Sequence, residues 1–500
     1  MKQDIRSATS VPPVETALPP VEAAVPLVEG AVPLVEGAVP LVAPTSHLGG
    51  RSAGAVKRRS RAPSPAVVSH SLPASARRLH HVFEAACDRD PTAVALECGD
   101  EQLTYRELDG RANQLGRHIR GLGIGNGKRV AILLQRSVQT YVALLGIGKA
   151  GAAFVPIDPD SPPDRVAYIL GDSDVDLVLT SSDLADRVTG TDRRVLLLDD
   201  GAEDLATEST SRSAATRHSD SPDPAAYVIY TSGSSGRPKG VEVAQSSICN
   251  FLDVVPEVYD VRPDDRVYQG MTIAFDFSIE EIWPTWSIGA TLVAGPTDSR
   301  RLGAELADFL DDNDITVLYC VPTLLATIPR DLPRVRNLLV GGEACPEQLV
   351  GRWSSPRRRI LNTYGPTEAT VTASWAELRP DRPVTIGRPL PTYSIVLLDE
   401  SLQPVADGDV GEICIGGPGV ARGYVGREDL TAERFVSHPL APVASGGRLY
   451  RTGDLGRVTA DGEIEYLGRA DAEVKIRGHR VDLGEIENVL LEDAAIAAAA

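Results

Sequence analysis

The run AYVIYTSGSSGRPKG (226–240) decides the reading of this chain, because an apolar, β-prone segment leads directly into a loop of glycines, hydroxyls and one lysine. Flexible backbone N–H groups, Ser and Thr donors and the Lys239 cation are the materials of a loop that grips phosphate. No GK[ST] closes the loop, so it is not a Walker A sequence. On composition alone such a loop is more often a flexible turn. What the chain does on either side of it therefore carries weight.

On both sides, short β-branched runs alternate with amphipathic helical stretches: VAILL (130–134), YVALLGIGKA (141–150), AYVIY (226–230), VLYCV (317–321) and NLLVGG (337–342). That alternation predicts an α/β fold with parallel sheets covered by helices. From about 385 to 467 the texture turns to shorter strands and turns, including the hairpin-like IVLLDESLQPV and GEICIGG, which predicts a β-rich subdomain. The segment 470–500 is too short for a domain and stops at IAAAA without a cap, as the start of a truncated small α+β C-terminal domain.

Residues 1–78 differ from the rest. The stretch VPLVEGAVPLVEGAVPLVAP repeats every seven residues with a proline in each repeat (Pro26, Pro33, Pro40), and those prolines forbid a coiled coil. A basic stretch with Lys57, Arg58, Arg59 and Arg61 follows; nine basic against five acidic residues give this arm +4, so that a chain of net charge −19 carries −23 on the remainder. The arm reads as a disordered, extended tether.

With 42% hydrophobic residues in 500, a large core is available. The net charge of −19 argues against nucleic acid or an anionic membrane as general partner, so a nucleotide needs a local site. The six cysteines lack metal-like spacing and fit reduced thiols in a cytoplasmic protein. No apolar run is long enough to span a membrane.

Eight segments together carry a resemblance: LTYRELDGRANQL (103–115), KAGAAFVPIDPDSPPDR (149–165), the loop at 230–240, AFDFS (274–278), NTYGPTEATV (362–371), GEICIGGPGVARGY (411–424), YRTGDLGR (450–457) and GRADAEVKIRGHRVDLGEIE (468–487). In this order they are similar to the signatures of the acyl-adenylate-forming, AMP-binding enzymes, and specifically to nonribosomal peptide synthetase adenylation domains. The resemblance covers residues 79–500 and implies a large domain (79–469) of two α/β subdomains and a β-rich one. It also implies ATP and Mg²⁺ as cofactors, an amino acid as substrate and a phosphopantetheinylated carrier protein or domain as acceptor.

Carried over residue by residue, the resemblance implies that Thr231, Ser232, Gly233 and Lys239 hold the β- and γ-phosphates, and that Ser234, Ser235 and Gly236 of the same loop also bind ATP. Thr367 would contact the α-phosphate beside Gly365, and Glu368 would help bind Mg²⁺, a hard cation that wants oxygen ligands. Thr231, Lys239, Thr367 and Glu368 are thus the candidate catalytic groups. Tyr364 would stack on adenine, Asn362 and the backbone near Gly342 would read its edge, Asp454 would accept from the ribose hydroxyls with Arg469 adding a contact, and Asp471 matches a hinge.

Asp276 matches the position that pairs with the substrate ammonium, which favours an amino acid over a plain acid. The implied pocket is Asp276, Phe277, Glu280, Tyr319, Leu339, Gly341, Thr363, Val371 and Thr372. Glu280 lies four residues after Asp276, and if IEEIW begins a helix both face one cavity. A buried carboxylate without a partner is expensive, so such a pocket expects a cation: a lysine, ornithine or diaminobutyrate side chain, with arginine open. Adenylation modules for basic amino acids are similar at this position, and poly-amino-acid synthetases of the ε-polylysine type are candidate closer relatives. The alternative is a solvent-facing Glu280 beside Glu281.

Two departures from the family pattern stand out. Gln245 occupies a position where the family commonly has His, and the family's C-terminal catalytic lysine would fall beyond residue 500. The chain is therefore expected to be a piece of a longer synthetase or a truncated product, slow in adenylation by itself. Rival readings are an acyl- or aryl-CoA ligase and an inactive ATP-binding module.

Overall fold

The computed structural model describes residues 77–213, 223–233, 237–471, 473–476 and 479–482, with Ile486 and Leu490. The arm up to residue 76, the loop residues Ser234, Ser235 and Gly236, and most of the segment after Asp471 lie outside the described residues. The expectations of a tether and of a small C-terminal domain are therefore left where the sequence put them.

Two large mixed sheets and one antiparallel sheet organise the described chain. The first runs, edge to edge, Arg388–Pro389, Ser374–Glu377, Arg359–Tyr364, Asn337–Gly341, Val317–Cys320, Arg266–Gln269, Thr291–Ala294, Val94–Cys98 and Glu101–Thr104. Its six inner strands are parallel and its edges antiparallel. Because side chains alternate across a strand, one face of this sheet presents Tyr319, Leu339 and Leu361 to the main core, and the other presents Leu318, Leu338 and Ile360 to a second cluster. Both faces are apolar, as strands in a covered parallel sheet should be.

The second sheet is ordered Gly423–Tyr424, Lys239–Ala244, Ala225–Thr231, Ala153–Pro156, Arg129–Ile132, Leu177–Thr180 and Arg194–Leu197. The predicted strand AYVIY is thus central, and the loop after it leads into an antiparallel return strand in which Lys239 faces Thr231. The third sheet joins Ser394–Leu398, Gly411–Gly416, Arg448–Val458, Phe435–Ser437 and Ile464–Arg469. The expected β-rich subdomain is there, although IVLLDESLQPV closes on itself only through the Leu398–Pro404 bridge; its real partner strand is GEICIG.

YVALLGIGKA lies in the helix Val138–Ala150, which is buried on nearly every side rather than amphipathic. It crosses the helix Tyr105–Gly121 at two glycines: a Cβ on Gly116 would sit 3.0 Å from the carbonyl oxygen of Gly146, and one on Gly146 would sit 2.9 Å from Leu115. The second helix begins with a capping box, in which the Thr104 hydroxyl accepts from the Glu107 N–H and the Glu107 carboxylate accepts from the Thr104 N–H. Among the described residues no helix is long and apolar enough to cross a membrane.

Candidate functional site

Just after Thr231 the backbone comes close to itself at Gly233. A Cβ on Gly233 would fall on the Arg237 carbonyl oxygen, so only glycine lets the chain fold back there. The Thr231 hydroxyl oxygen is buried with no hydrogen-bond partner among the described residues, a group that expects a ligand oxygen. A cavity of about 320 Å³ opens beside Tyr230, the residue before this loop, and is lined also by Asp158, Arg165, Thr272 and Ala274.

Lys239 is met by its own sheet's edge strand and by the turn that follows Arg359–Tyr364 of the first sheet. The strand Gly423–Tyr424 adds to the return strand through Tyr424 opposite Val241, and the Ala421 N–H donates to the Glu368 carbonyl at 2.9 Å. This brings Lys239 Nζ to 3.8 Å from Glu368 Oε1 and 5.2 Å from the centre of the Tyr424 ring. The Tyr424 hydroxyl donates to the same Glu368 oxygen at 2.7 Å, and its own burial beside that carboxylate pushes the phenol far up. Glu368 is fully buried, and Thr367 and Lys239 are nearly so. Thr231, Lys239, Thr367 and Glu368 thus come together, and Tyr424 is a member to which sequence reasoning gave no role although its motif was in view. Glu368 is the carboxylate here that would hold Mg²⁺, a hard cation that prefers oxygen ligands.

The chain between Gly365 and Ala373 is bent hard to make this corner. A Cβ on Gly365 would collide with the Val371 carbonyl. Thr370 and Val371 both have positive φ, 59° and 70°, and the Thr372 N–H closes a γ-turn on the Thr370 carbonyl at 2.9 Å. A β-branched residue at positive φ is strained, and such strain gathers where side chains must be aimed.

Beside this corner Tyr364 is buried, and its hydroxyl donates to Asp454 Oδ2 at 2.5 Å. Asp454 stands opposite Arg469 on the neighbouring strand, with Arg469 Nη1 at 3.0 Å from Oδ1. Asp471 receives Arg469 in two bonds of 2.6 and 2.7 Å, and Gly453 at φ 76° leaves room for the pair. Asn362 donates its amide to the Thr385 carbonyl at 2.7 Å, and Gly342 turns the chain at φ 77° just past the neighbouring strand. Gln245 belongs elsewhere: its side-chain oxygen accepts from the Leu79 N–H at 2.7 Å, at the start of the first helix.

The nine pocket positions come together. IEEIW does lie in a helix, Phe277–Ile288, with Asp276 as its N-cap and Glu280 in its first turn. Tyr319 pairs with Leu339 and Gly341 with Thr363, two residues apart on the same face. Phe277 meets the Tyr319 ring at 6.2 Å, and a Cβ on Gly341 would reach Phe277 at 3.4 Å and Thr363 Oγ1 at 2.6 Å. The strained turn delivers Val371 and Thr372, whose hydroxyl donates to Glu280 Oε1 at 3.2 Å.

Glu280 does not face solvent. It is fully buried, as is Glu281, so the solvent-facing alternative for Glu280 is wrong. Glu281 is spent on structure: it accepts from the N–H groups of Gly270 and Met271 and from the Gln269 amide, pinning the segment before Asp276. Glu280 accepts at Oε1 from Tyr259 and Thr372, while Oε2 is buried with no partner among the described residues. Burial pushes its carboxyl up to about 8 against those two donors, with Asp276 and Glu281 adding to the rise.

Among the described residues one further group has metal-like spacing, His80, His81 and Glu84, but Lys149 and Arg212 already hold Glu84. A larger cleft of about 860 Å³, lined by Arg136, Glu305 and Asp308 among others, contains none of the site residues.

The model of the AMP-binding enzyme family matches residues 83–425. Delta-poly-L-ornithine synthetase of Acinetobacter baumannii (strain AB307-0294) is 40% identical over 84% of this chain and 31% of its own length. Tyrocidine synthase 2 of Brevibacillus parabrevis is 40% identical over 83% of this chain and 11% of its own. Among solved structures, the nonribosomal peptide synthetase FmoA3 (S1046A) in its alpha-methyl-L-serine-AMP bound form superposes with a TM-score of 0.73 at 33% identity, covering 80% of this chain and 46% of that one. The chain thus spans less than half the length of each of these relatives.

Proposed function

Since the chain belongs to the AMP-binding enzyme family, we propose that it condenses ATP with an amino acid bearing a basic side chain to an aminoacyl-adenylate and pyrophosphate. Its place would be as the adenylation unit of a nonribosomal peptide synthetase, handing the residue to the phosphopantetheine of a carrier protein. ATP and Mg²⁺ are the cofactors of this chemistry. When bound, the metal supplies positive charge on the phosphates as the α-phosphorus is attacked.

The residues do the rest by position and charge. Lys239 and the turn at Thr231–Gly233 would hold the outer phosphates and stabilise departing pyrophosphate, Thr367 the α-phosphate, and Glu368, fixed by Tyr424, the metal. Tyr364 would lie against the adenine and Asp454 would receive the ribose hydroxyls. Asp471 would be the hinge for a following domain.

The observation that carries the substrate reading is Glu280, a fully buried carboxylate one helical turn after Asp276, with one oxygen that has no partner among the described residues. Asp276 would take the α-ammonium and Glu280 the side-chain ammonium of lysine, ornithine or diaminobutyrate. At about 4 Å and an effective dielectric near 20, that second attraction is worth about 4 kcal/mol before desolvation, enough to select against neutral side chains. The buried Tyr319 hydroxyl, also without a partner among the described residues, would give the ammonium a further acceptor. The name of the poly-ornithine synthetase relative points the same way.

The test is exchange of labelled pyrophosphate into ATP across basic amino acids, neutral amino acids and plain carboxylic acids, on the wild type and Glu280→Ala. Exchange with basic amino acids only, relaxed in the variant, is expected. Exchange confined to neutral amino acids would overturn the substrate reading, and exchange with plain acids would overturn amino-acid activation.

A further inference from the structure

We propose that Tyr259, which occupies none of the pocket positions carried over from sequence, is a specificity-determining positioning residue. It holds Glu280 by one oxygen so that the other faces the substrate's terminal ammonium. This rests on reading Glu280 as the group that receives a cationic side chain.

Tyr259 ends the helix Gln245–Tyr259 and is fully buried. Its backbone is locked on both sides. The Asn337 amide donates to its carbonyl, and the next residue, Asp260, caps the helix at φ 53° while its carbonyl accepts from Arg336 at 2.7 Å. Arg336 is itself ion-paired with Asp265. From this fixed base the ring stands edge-on to Tyr319 at 6.3 Å and the hydroxyl donates to Glu280 Oε1.

With Thr372 donating to the same atom, both donors among the described residues converge on Oε1 and none of the described residues donates to Oε2. That asymmetry is the substance of the inference. A carboxylate with one donor at each oxygen would be satisfied without a ligand, whereas this one is oriented and left half open. The groups facing Glu280 are the hydroxyls of Tyr259 and Thr372, the buried Tyr319, and the carboxylates Asp276 and Glu281. Burial and the neighbouring Glu280 hold the Tyr259 phenol far above its usual range, so it stays protonated and can only donate to the carboxylate.

Tyr259→Phe keeps the ring and its packing and removes only the donor. In the full 500-residue chain, calorimetric binding of L-ornithine, L-leucine and ATP is compared between wild type and variant from about pH 6 to about pH 9, with thermal unfolding alongside. Ornithine affinity is expected to fall about ten- to a hundredfold, the range for a hydrogen bond to a charged group. The acid limb of ornithine binding should move to higher pH, because the lost donor favoured the ionised carboxylate, while leucine and ATP affinities hold within about twofold. An unchanged ornithine affinity and pH profile would overturn the proposal while leaving the substrate reading intact. Loss of ATP binding together with ornithine binding would assign Tyr259 to the fold instead. If the wild type itself prefers leucine, the substrate reading fails before the variant is considered, and the role of Tyr259 falls with it.

Discussion

Binding of an amino acid with a terminal ammonium should release a proton from Glu280. In the free protein the carboxyl is pushed up to about 8 by burial. At pH 7 it is therefore about 0.9 protonated, and an ammonium placed against Oε2 drives it to the ionised form. The ligand's α-amino group is itself partly neutral by pH 9, so Glu280's own share is the release that wild type shows beyond Glu280→Gln: most of one proton per ornithine at pH 7, falling toward none by pH 9, where the free carboxylate is already ionised. Calorimetry of ornithine binding in buffers of different ionisation enthalpy reads this number directly. Glu280→Gln has no such proton to lose, so the difference between wild type and variant isolates this residue from Asp276. Ornithine binding with no buffer dependence in the wild type, or with equal dependence in both proteins, would refute the argument that Glu280 receives the side chain.

Three further outcomes are expected. Free of ligand, the protein should lose stability as pH rises from about 5 to about 8, because Glu280 and Glu281, pushed up to about 8 and about 7, keep their protons in the folded state after the unfolded chain has released them; Glu280→Gln should flatten the denaturant midpoint over that window. Gly365→Ala should cost about 2–4 kcal/mol in urea unfolding, since the methyl group meets the backbone at Val371–Ala373 rather than the end of a flexible side chain; a cost below about 1 kcal/mol would show that the corner is soft. Tyr424→Phe should lower the exchange rate about ten- to a hundredfold and raise the Mg²⁺ concentration for half-maximal rate, as Glu368 loses its donor; an unchanged metal dependence would remove Tyr424 from the site.

The parts of the site that announce themselves in sequence are those where local chemistry and local structure coincide. The loop after AYVIY is such a case, because a central strand has to end where the glycines begin. Asp276 and Glu280 are another, since a one-turn spacing at the head of a helix fixes their common direction once the helix exists. YVALLGIGKA hid its amphipathic failing: a helix buried all round by a glycine-to-glycine crossing has no polar stripe to show. Tyr259 and Tyr424 were out of reach for a different reason. Their partners, Glu280 and Glu368, stand 21 and 56 residues away, and nothing local to either tyrosine distinguishes it from an ordinary buried aromatic. Glu281 shows the converse, for two adjacent glutamates carry the same letter while one is tied to backbone N–H groups and the other is left open on one oxygen.

The short strand Gly423–Tyr424 sets a limit on how the molecule can be dissected. It is the outer neighbour of Lys239–Ala244, and Arg422 extends the hold through Glu242 to Arg129 in the middle of the sheet. A fragment ending before it would leave the strand that bears Val241 and Val243 with bare N–H and C=O groups, an open edge of the kind that recruits other chains. Cutting there would trade a closed site for a sticky one, so the β-rich part and the phosphate loop have to be expressed, purified and evolved as one piece.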